Sequence, residues 1–374
     1  MTFALEPALT ASVEVAREHA LAVDATAAFP SQTIDAARRH GLLALTTSTS
    51  HGGHGGSLKD AATVVERIAR ECGSSAMVLT MHYAGNAVLE ACGSDAVRRD
   101  VAAGRHLSTL AFSEAGSRSH FWAPVSTRWP NGATVRLGPE KRWVTSAHHA
   151  DPPLRASRPS AGSEASTLWL VPRDAKGLSL GGTFDGLGLR GNDSQPVTAD
   201  GVELPLANRL GDDGQGFGLM MQTVLPTFAL LNAAGALGLA EALVQKTAEH
   251  AAGPRYAHMD TGNHLRDLPT IRAYVARMRI QVDMAKALWQ STLTALEQGR
   301  AEAPLLVLET KAAAAETASS VGDTAMRVCG GMAFRKEVGV ERLFRDTRAS
   351  LVMAPTSDQL YDFVGKAVTG LPLF

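Results

Sequence analysis

Cysteine is scarce in this chain. Only three occur among 374 residues, Cys72, Cys92 and Cys329, and they lie far apart. That number and spacing suggest neither a disulfide framework nor a metal knuckle, and each reads as a small buried hydrophobe. An excess of charge of either sign is also missing: 36 Lys and Arg face 37 Asp and Glu. Such a balance argues against broad electrostatic capture of nucleic acid or of an anionic membrane. We read no long uninterrupted apolar run, so no transmembrane helix is expected. The N-terminus lacks a basic segment followed by an apolar core, so no secretory leader is expected either. Together these features point to the cytoplasm.

The composition that remains, 45% hydrophobic and 20% charged, is that of an ordinary globular protein with length for two or three domains. Residues 1 to about 105 read as helical, with apolar residues three and four apart, as in Ala61, Val64, Val65, Ile68 and Ala69. Breaks fall at Phe29-Pro30-Ser31, at the glycine run Gly52–Gly56 and at Cys72-Gly73. His51 and His54 sit in the surrounding segment Ser50–Ser57 without a nearby carboxylate pair and read as turn histidines. From about 106 to 210 the chain turns to Thr, Val, Ser, Gly and Pro. Strands are read at Ser126–Trp129, Ala133–Arg136, Ser166–Val171 and Gln195–Thr198, with turns at Asn131-Gly132 and Asp200-Gly201. The segment Asp151–Ala165, rich in Pro, Ser and Arg, reads as an exposed loop. Four long helical segments follow: Phe217–His250, Asp267–Gln298, Ala303–Cys329 and Val340–Gly370.

Chemistry gathers between Leu110 and Asp151. Leu110-Ala111-Phe112 reads as a short strand running into Ser113-Glu114-Ala115-Gly116, a loop that lets a ligand approach the backbone. Trp143-Val144-Thr145 reads as a second strand. A flat indole face beside a hydroxyl and amides suits a planar ring with polar edges, such as a flavin. Two strands and a core Trp are the plainer alternative. The aromatic run His120-Phe121-Trp122 follows the loop and either lines a pocket or packs the β domain.

These stretches resemble the flavin-cradling strands of the acyl-CoA dehydrogenase family, whose patterns are Thr-Glu-Pro with a following Gly-Ser-Asp, and later Trp-Ile-Thr. Ser113-Glu114-Ala115 and Trp143-Val144-Thr145 fall on those positions, and Ser119 keeps the serine, while Arg118 and His120 replace its neighbours. Leu187–Ser194, Val202–Pro205, Asn208–Gly211 and Gly214–Phe217 continue the likeness in register. The resemblance implies an α+β fold: an N-terminal all-α domain (1–108), a middle antiparallel β domain (109–212) and a C-terminal four-helix bundle (213–374). It implies FAD as cofactor. Phe112, Ser113, Ser119, Trp143 and Thr145 would meet the flavin. Arg255, Arg327, Gly330 and Gly331 would meet its diphosphate or ribose, and Thr356 and Asp358 its adenosine end. The Gly330-Gly331 motif reaches across a subunit boundary in the family, which implies a homodimer or homotetramer.

For catalysis the resemblance implies α,β-desaturation of an acyl thioester, on CoA or another carrier. A carboxylate base takes the α-proton while hydride leaves for the flavin; the final electron acceptor is unassigned. The usual base follows an Arg-Asp pair, here Arg345-Asp346, yet Ala354 occupies its place; a second family position for it holds Phe228. Pro226 and Ala229 likewise replace a ligand-contacting pair. His120, Glu114, Asp193, His82 and Asp358 are the substitutes weighed as base, and His82, Phe121, Phe228 and Ala354 line the expected pocket. His82 reads equally as a satisfied core histidine. Three readings are open: a dehydrogenase, a flavin-dependent monooxygenase using reduced flavin and O2, and a non-catalytic binding relative.

Overall fold

The structure is a computed structural model that describes residues 3–117, 120–126, 128–138, 140–151, 154–157, 166–253 and 264–373. It has an α+β architecture: helices first, then β-sheets, then a cluster of long helices, the order that the resemblance implies. The chain divides into two compact units: residues 1–64, 74–186 and 190–228 form the first, and residues 65–73, 187–189 and 229–374 the second.

The N-terminal helices are α1 (Leu5–Thr26), α2 (Ser31–Arg39), α3 (Leu58–Glu71), α4 (Gly73–Cys92) and α5 (Asp95–Ala102). Along α4, three polar side chains reach back to the chain that follows α2. His82 bonds the Leu43 carbonyl (2.8 Å), Tyr83 the Leu42 carbonyl (2.8 Å) and Asn86 the hydroxyls of Thr46 and Thr47. Those bonds hold an irregular segment that the glycines at 52–56 then allow to double back. A Cβ on Gly53 would fall 2.2 Å from the Thr47 carbonyl oxygen. His51 bonds Ser48 and Asp95, and His54 stacks on Phe3 at 3.8 Å.

Among the described residues, ten short strands make three small sheets in the first unit: β1 (Leu110–Ala111), β2 (Arg128–Asn131), β3 (Thr134–Leu137), β4 (Lys141–Val144), β5 (Leu154–Ser157), β6 (Thr167–Leu170), β7 (Leu178–Leu180), β8 (Gln195–Ala199), β9 (Val202–Pro205) and β10 (Arg209–Leu210). Their orders are β1-β5-β6-β10, β2-β3-β9 and β4-β8-β7. Two expectations need correction. The segment after Asp151 is not all loop, because β5 lies inside it, paired on both sides, and Ser157 Oγ accepts the Trp169 indole N–H at 3.0 Å. Nor is every pair antiparallel, since β1 and β5 run parallel. One apolar cluster is built from Val135, Leu137, Trp169, Val171, Val202 and Leu204, and another from Ala111, Val144, Ala147 and Val197.

Helix α6 (Gly216–Leu219) passes through a π-helical turn (Met220–Val224) into α7 (Leu225–Ala252). Pro226 has no N–H for the carbonyl four residues back, and its ring crowds that carbonyl; the wider turn relieves both. This helix, Gly216–Ala252, is long and apolar enough to cross a membrane, which corrects our reading that no such run exists. Its most apolar window is 78% buried in protein, as in a core helix. In the second unit α8 (Pro269–Glu297) and α9 (Ala303–Cys329) follow, then α10 (Val340–Val352) and α11 (Ser357–Val368). The expected single helix Val340–Gly370 is therefore two, parted by Met353–Thr356, where Pro355 disfavours helical backbone at Ala354. Helix α9 is central and packs against α8, α10 and α11, with Ala312, Ala314, Ala315, Ala318 and Gly322 buried. Lys286 ties α3 to α7 by bonding Glu66 (2.9 Å) and Glu241 (2.7 Å).

Close helix approach makes one glycine in α7 sensitive. A Cβ on Gly238 would meet the Glu66 carbonyl oxygen at 2.3 Å and Ala69 Cβ at 2.8 Å, whereas one on Gly365 in α11 meets nothing within 4 Å. Gly238→Ala is expected to cost about 1–3 kcal/mol from overpacking. Gly365→Ala is expected to add up to about 1 kcal/mol through helix propensity. Denaturant midpoints of the two variants check this, and equal shifts would refute the packing.

Candidate active site

The loop after β1 is tied at its two ends by one buried carboxylate. Glu114 Oε2 accepts the backbone N–H groups of Val125 (2.6 Å) and Ser126 (3.0 Å), and Oε1 accepts the Ser126 hydroxyl (2.5 Å). The Lys141 ammonium, at the start of β4, pairs with the same Oε1 and donates to Ser126 Oγ at 3.2 Å. Lys141 is completely buried and Glu114 nearly so. Burial pushes the Glu114 carboxyl pKa up. The Lys141 charge and the converging donors outweigh that and hold it below the usual carboxylate range. Glu114 is therefore a structural anion and is withdrawn as a base. Above it, Phe112 stacks in parallel with Phe121 (centroids 6.4 Å apart), and Trp122 stands edge-on to Phe121 at 5.1 Å. His120 stands edge-on to Trp122 at 5.1 Å. Ser113 accepts the Arg142 N–H at its carbonyl (2.8 Å), which sets the loop beside β4. Ser119 lies outside the described residues.

Two residues past Lys141, Trp143 breaks the strand's regularity. Its φ is +58°, the register against β8 shifts there, and 67% of the residue is exposed. A left-handed conformation at a bulky residue is strained, and it persists only where its surroundings impose it. Here the strand is anchored at both of its ends: Lys141 by Glu114, and Val144 within an apolar cluster. Thr145 is buried, its hydroxyl 3.1 Å from Ser194 Oγ and its carbonyl accepting the Thr109 hydroxyl at 2.7 Å. Ser146 and Asp193 are also left-handed. Asp193 accepts the His148 backbone N–H (2.7 Å) and bonds its Nδ1 (2.8 Å), so it too is withdrawn as a base. Lys141, Ser194 and His148 are the residues our sequence reading passed over.

His82 is a core histidine, a correction to its place in both the expected pocket and the base list. It has no exposure; Nε2 donates to the Leu43 carbonyl and Nδ1 accepts the Ser108 N–H at 3.1 Å. Burial lowers its pKa to about 4, so it is neutral.

The C-terminal positions fall on helix ends and turns. Phe228 lies half-buried one residue pair past Pro226 on α7. Ala354, half-buried, sits in the loop Met353–Thr356 between α10 and α11. That loop is clamped by Lys311 of α9, whose Nζ donates to the carbonyls of Met353 (2.9 Å) and Pro355 (2.7 Å). Lys311 is completely buried, and burial lowers its pKa to about 7. Thr356 caps α11 by accepting the Gln359 N–H at 3.3 Å, and Asp358 is an exposed acid in its first turn. Arg345 donates to the Leu187 carbonyl (2.9 Å), and Asp346 accepts the Leu189 N–H (2.6 Å), so this Arg-Asp pair grips backbone. Arg327 is exposed, 5.7 Å over the Tyr274 ring. Gly330 ends α9 at φ 56°, ψ −138°, a conformation open to glycine alone, and both it and Gly331 are exposed. Arg255 lies outside the described residues.

The sequence patterns of two domains of one family match the chain: acyl-CoA dehydrogenase N-terminal domain over residues 9–104 and acyl-CoA dehydrogenase C-terminal domain over residues 214–369. The chain belongs to the acyl-CoA dehydrogenase superfamily. A probable acyl-CoA dehydrogenase, YngJ of Bacillus subtilis (strain 168), is 26% identical over 348 residues, covering 91% of this chain and 90% of that protein. Butyryl-CoA dehydrogenase from Megasphaera elsdenii superposes with a TM-score of 0.88 at 21% identity, over 99% of this chain and 100% of its own. PigA with FAD and proline superposes with a TM-score of 0.90 at 17% identity, over 98% and 96%.

Two measurements test these roles. Lys141→Met leaves a buried, unpaired carboxylate and is expected to cost about 3–5 kcal/mol, read from denaturant unfolding; a loss below about 1 kcal/mol would contradict the burial. For His82 the folded pKa of about 4 lies below the ordinary 6.5, so the unfolded state takes up the proton first. Stability should fall as pH drops from about 6.5 towards 4, by about 3 kcal/mol at most from this group. Urea midpoints across that window should show a shallower fall in His82→Gln than in the parent chain.

Proposed function

We propose that this protein is a FAD-dependent oxidoreductase acting on CH–CH bonds, desaturating an acyl thioester carried on CoA or another carrier. The carrying observation is Trp143. A large indole held left-handed and 67% exposed, next to buried anchors on both sides, is an aromatic face prepared for a flat ligand. Family membership supports FAD, as does the similarity in fold to PigA, a protein solved with FAD. The described residues fit the group: Trp143 would cover the ring, Phe112, Ser113 and Thr145 would line its edge, and the bare Gly330-Gly331 turn would admit a diphosphate without side-chain interference; the resemblance adds Ser119 to the proposed set. Arg255, Arg327, Thr356 and Asp358 complete the proposed set. The bound flavin supplies the hydride acceptor; the protein binds and orients the acyl group and shields it from water. With Glu114, Asp193 and His82 committed to structural bonds, the proposal for the base narrows to His120 and Asp358. Phe121, Phe228 and Ala354 stay as the proposed pocket lining.

The exposed Gly330-Gly331 turn, followed by Met332 and by Phe334 at 79% exposure, supports a homodimer or homotetramer in which a second subunit meets this turn. We place the protein in the cytoplasm, in keeping with its free thiols at Cys72, Cys92 and Cys329. One observation favours a second reading. Ala354 and Phe228 take no proton, which suits a monooxygenase that uses reduced flavin and O2 and needs no α-proton base.

The test is an absorbance spectrum of the purified protein, repeated during anaerobic titration with a panel of acyl-CoA thioesters. A yellow protein that bleaches with a thioester is the expected result, with Trp143→Ala retaining less flavin. A yellow protein that bleaches with none, yet consumes O2 when given a flavin reductase and substrate, would select the monooxygenase. A colourless protein that takes up no FAD would end the assignment.

A further inference from the structure

Between Thr227 and Glu241, α7 carries one polar side chain, Asn232, on an otherwise apolar run. Asn232 is only 7% exposed. Its Nδ2 donates to the Met353 thioether at 3.1 Å, a weak acceptor, and its Oδ1 has no hydrogen-bond partner among the described residues. A buried amide oxygen without a donor keeps its full desolvation penalty, so a leucine would serve this helix better if packing were the only requirement. Such a breach of local fitness points to a ligand.

Its surroundings say which ligand. Met353 precedes Ala354, the position where the resemblance expects a base and where only a methyl group stands. The loop is not slack: Lys311 holds the carbonyls on either side of Ala354. Asn232 and Lys311 therefore grip the same residue, Met353, one by its sulfur and one by its carbonyl. The free acceptor calls for an N–H or O–H. The acceptor is a buried, uncharged amide that offers a cation no counter-charge, so a protonated amine fits poorly.

We propose that Asn232 is a specificity-determining residue whose Oδ1 accepts a hydrogen bond from a neutral donor on the acyl chain, and that the substrate is a hydroxy-substituted acyl thioester. This rests on the acyl-thioester reading above. Lys311 acts as a positioning residue that keeps Met353, and through it the Asn232 amide, in place.

The experiment is isothermal titration calorimetry of the FAD-loaded protein with butanoyl-CoA and with 2-, 3- and 4-hydroxybutanoyl-CoA. At least one hydroxy thioester should bind about tenfold more tightly than butanoyl-CoA, the scale of one buried hydrogen bond. Asn232→Leu should bring that pair to equal affinity. Asn232→Asp, which keeps an acceptor, should preserve the preference, and serves if the leucine variant does not fold. Equal affinities in the parent protein, or a preference that survives in Asn232→Leu, overturn the role of Asn232 while leaving a thioester-binding flavoprotein. A protein that takes up FAD but binds none of the four overturns both the Asn232 role and the acyl-thioester reading, and failure to take up FAD overturns the whole assignment.

Discussion

The buried pair of Glu114 and Lys141 is the constraint on which the proposed cofactor face depends. It joins residues 27 positions apart, Ser126 adds a hydroxyl, and Val125 and Ser126 add backbone donors. A charge pair withdrawn from water gives little net stability over an apolar substitute, but it is costly to break on one side. What it does provide is position. It closes the loop from Ser113 to Ser126 and fixes the start of β4, so that the chain enters Trp143 with a direction already set. The strain at Trp143 is thereby paid by an interaction on the hidden side of the strand, and the exposed indole needs no partner from within the protein.

The second unit uses a related device. Lys311 is a buried amine that donates to carbonyl oxygens, and it holds irregular backbone between two helices. Asp346 holds the Leu187–Leu189 segment by a backbone N–H in the same manner. In each case an ionisable side chain from a regular element supplies the hydrogen bond that a turn lacks. Glu114, Arg345 and Asp346, the charged residues of the family-like motifs, therefore serve geometry.

Much of the architecture was legible in the sequence because it is written locally. Helix α9 was read to the residue from its Ala-rich pattern between Gly299 and Gly330, and the strands at 134–137 and 195–199 followed their turn signals. The break at Ala354-Pro355 was equally visible, since proline restricts the residue before it, and it was overlooked inside an amphipathic run. Other features are non-local and could not be read. Nothing in Glu114 names a lysine 27 residues on, and nothing in Trp143 forecasts a left-handed backbone. His82 could be a pocket residue or a core residue until both ring nitrogens were seen to be occupied. Asn232 was in plain view as the one amide in the apolar run between Thr227 and Glu241, and what sequence lacked was the neighbour, Met353, that leaves half of that amide unanswered.

Strand β5 shows how composition misleads about what is dispensable. Its surroundings are rich in proline, serine and arginine, the usual signature of a connector that protein engineers shorten without penalty. Yet Leu154–Ser157 pairs with β1 on one side and β6 on the other, so its removal would part β1 from β6 and β10 and free two interior edges. Homologues or designs with a trimmed link at this point would have to recruit another strand to fill the gap. The stretch that looks most like packaging is therefore a keystone of the β region.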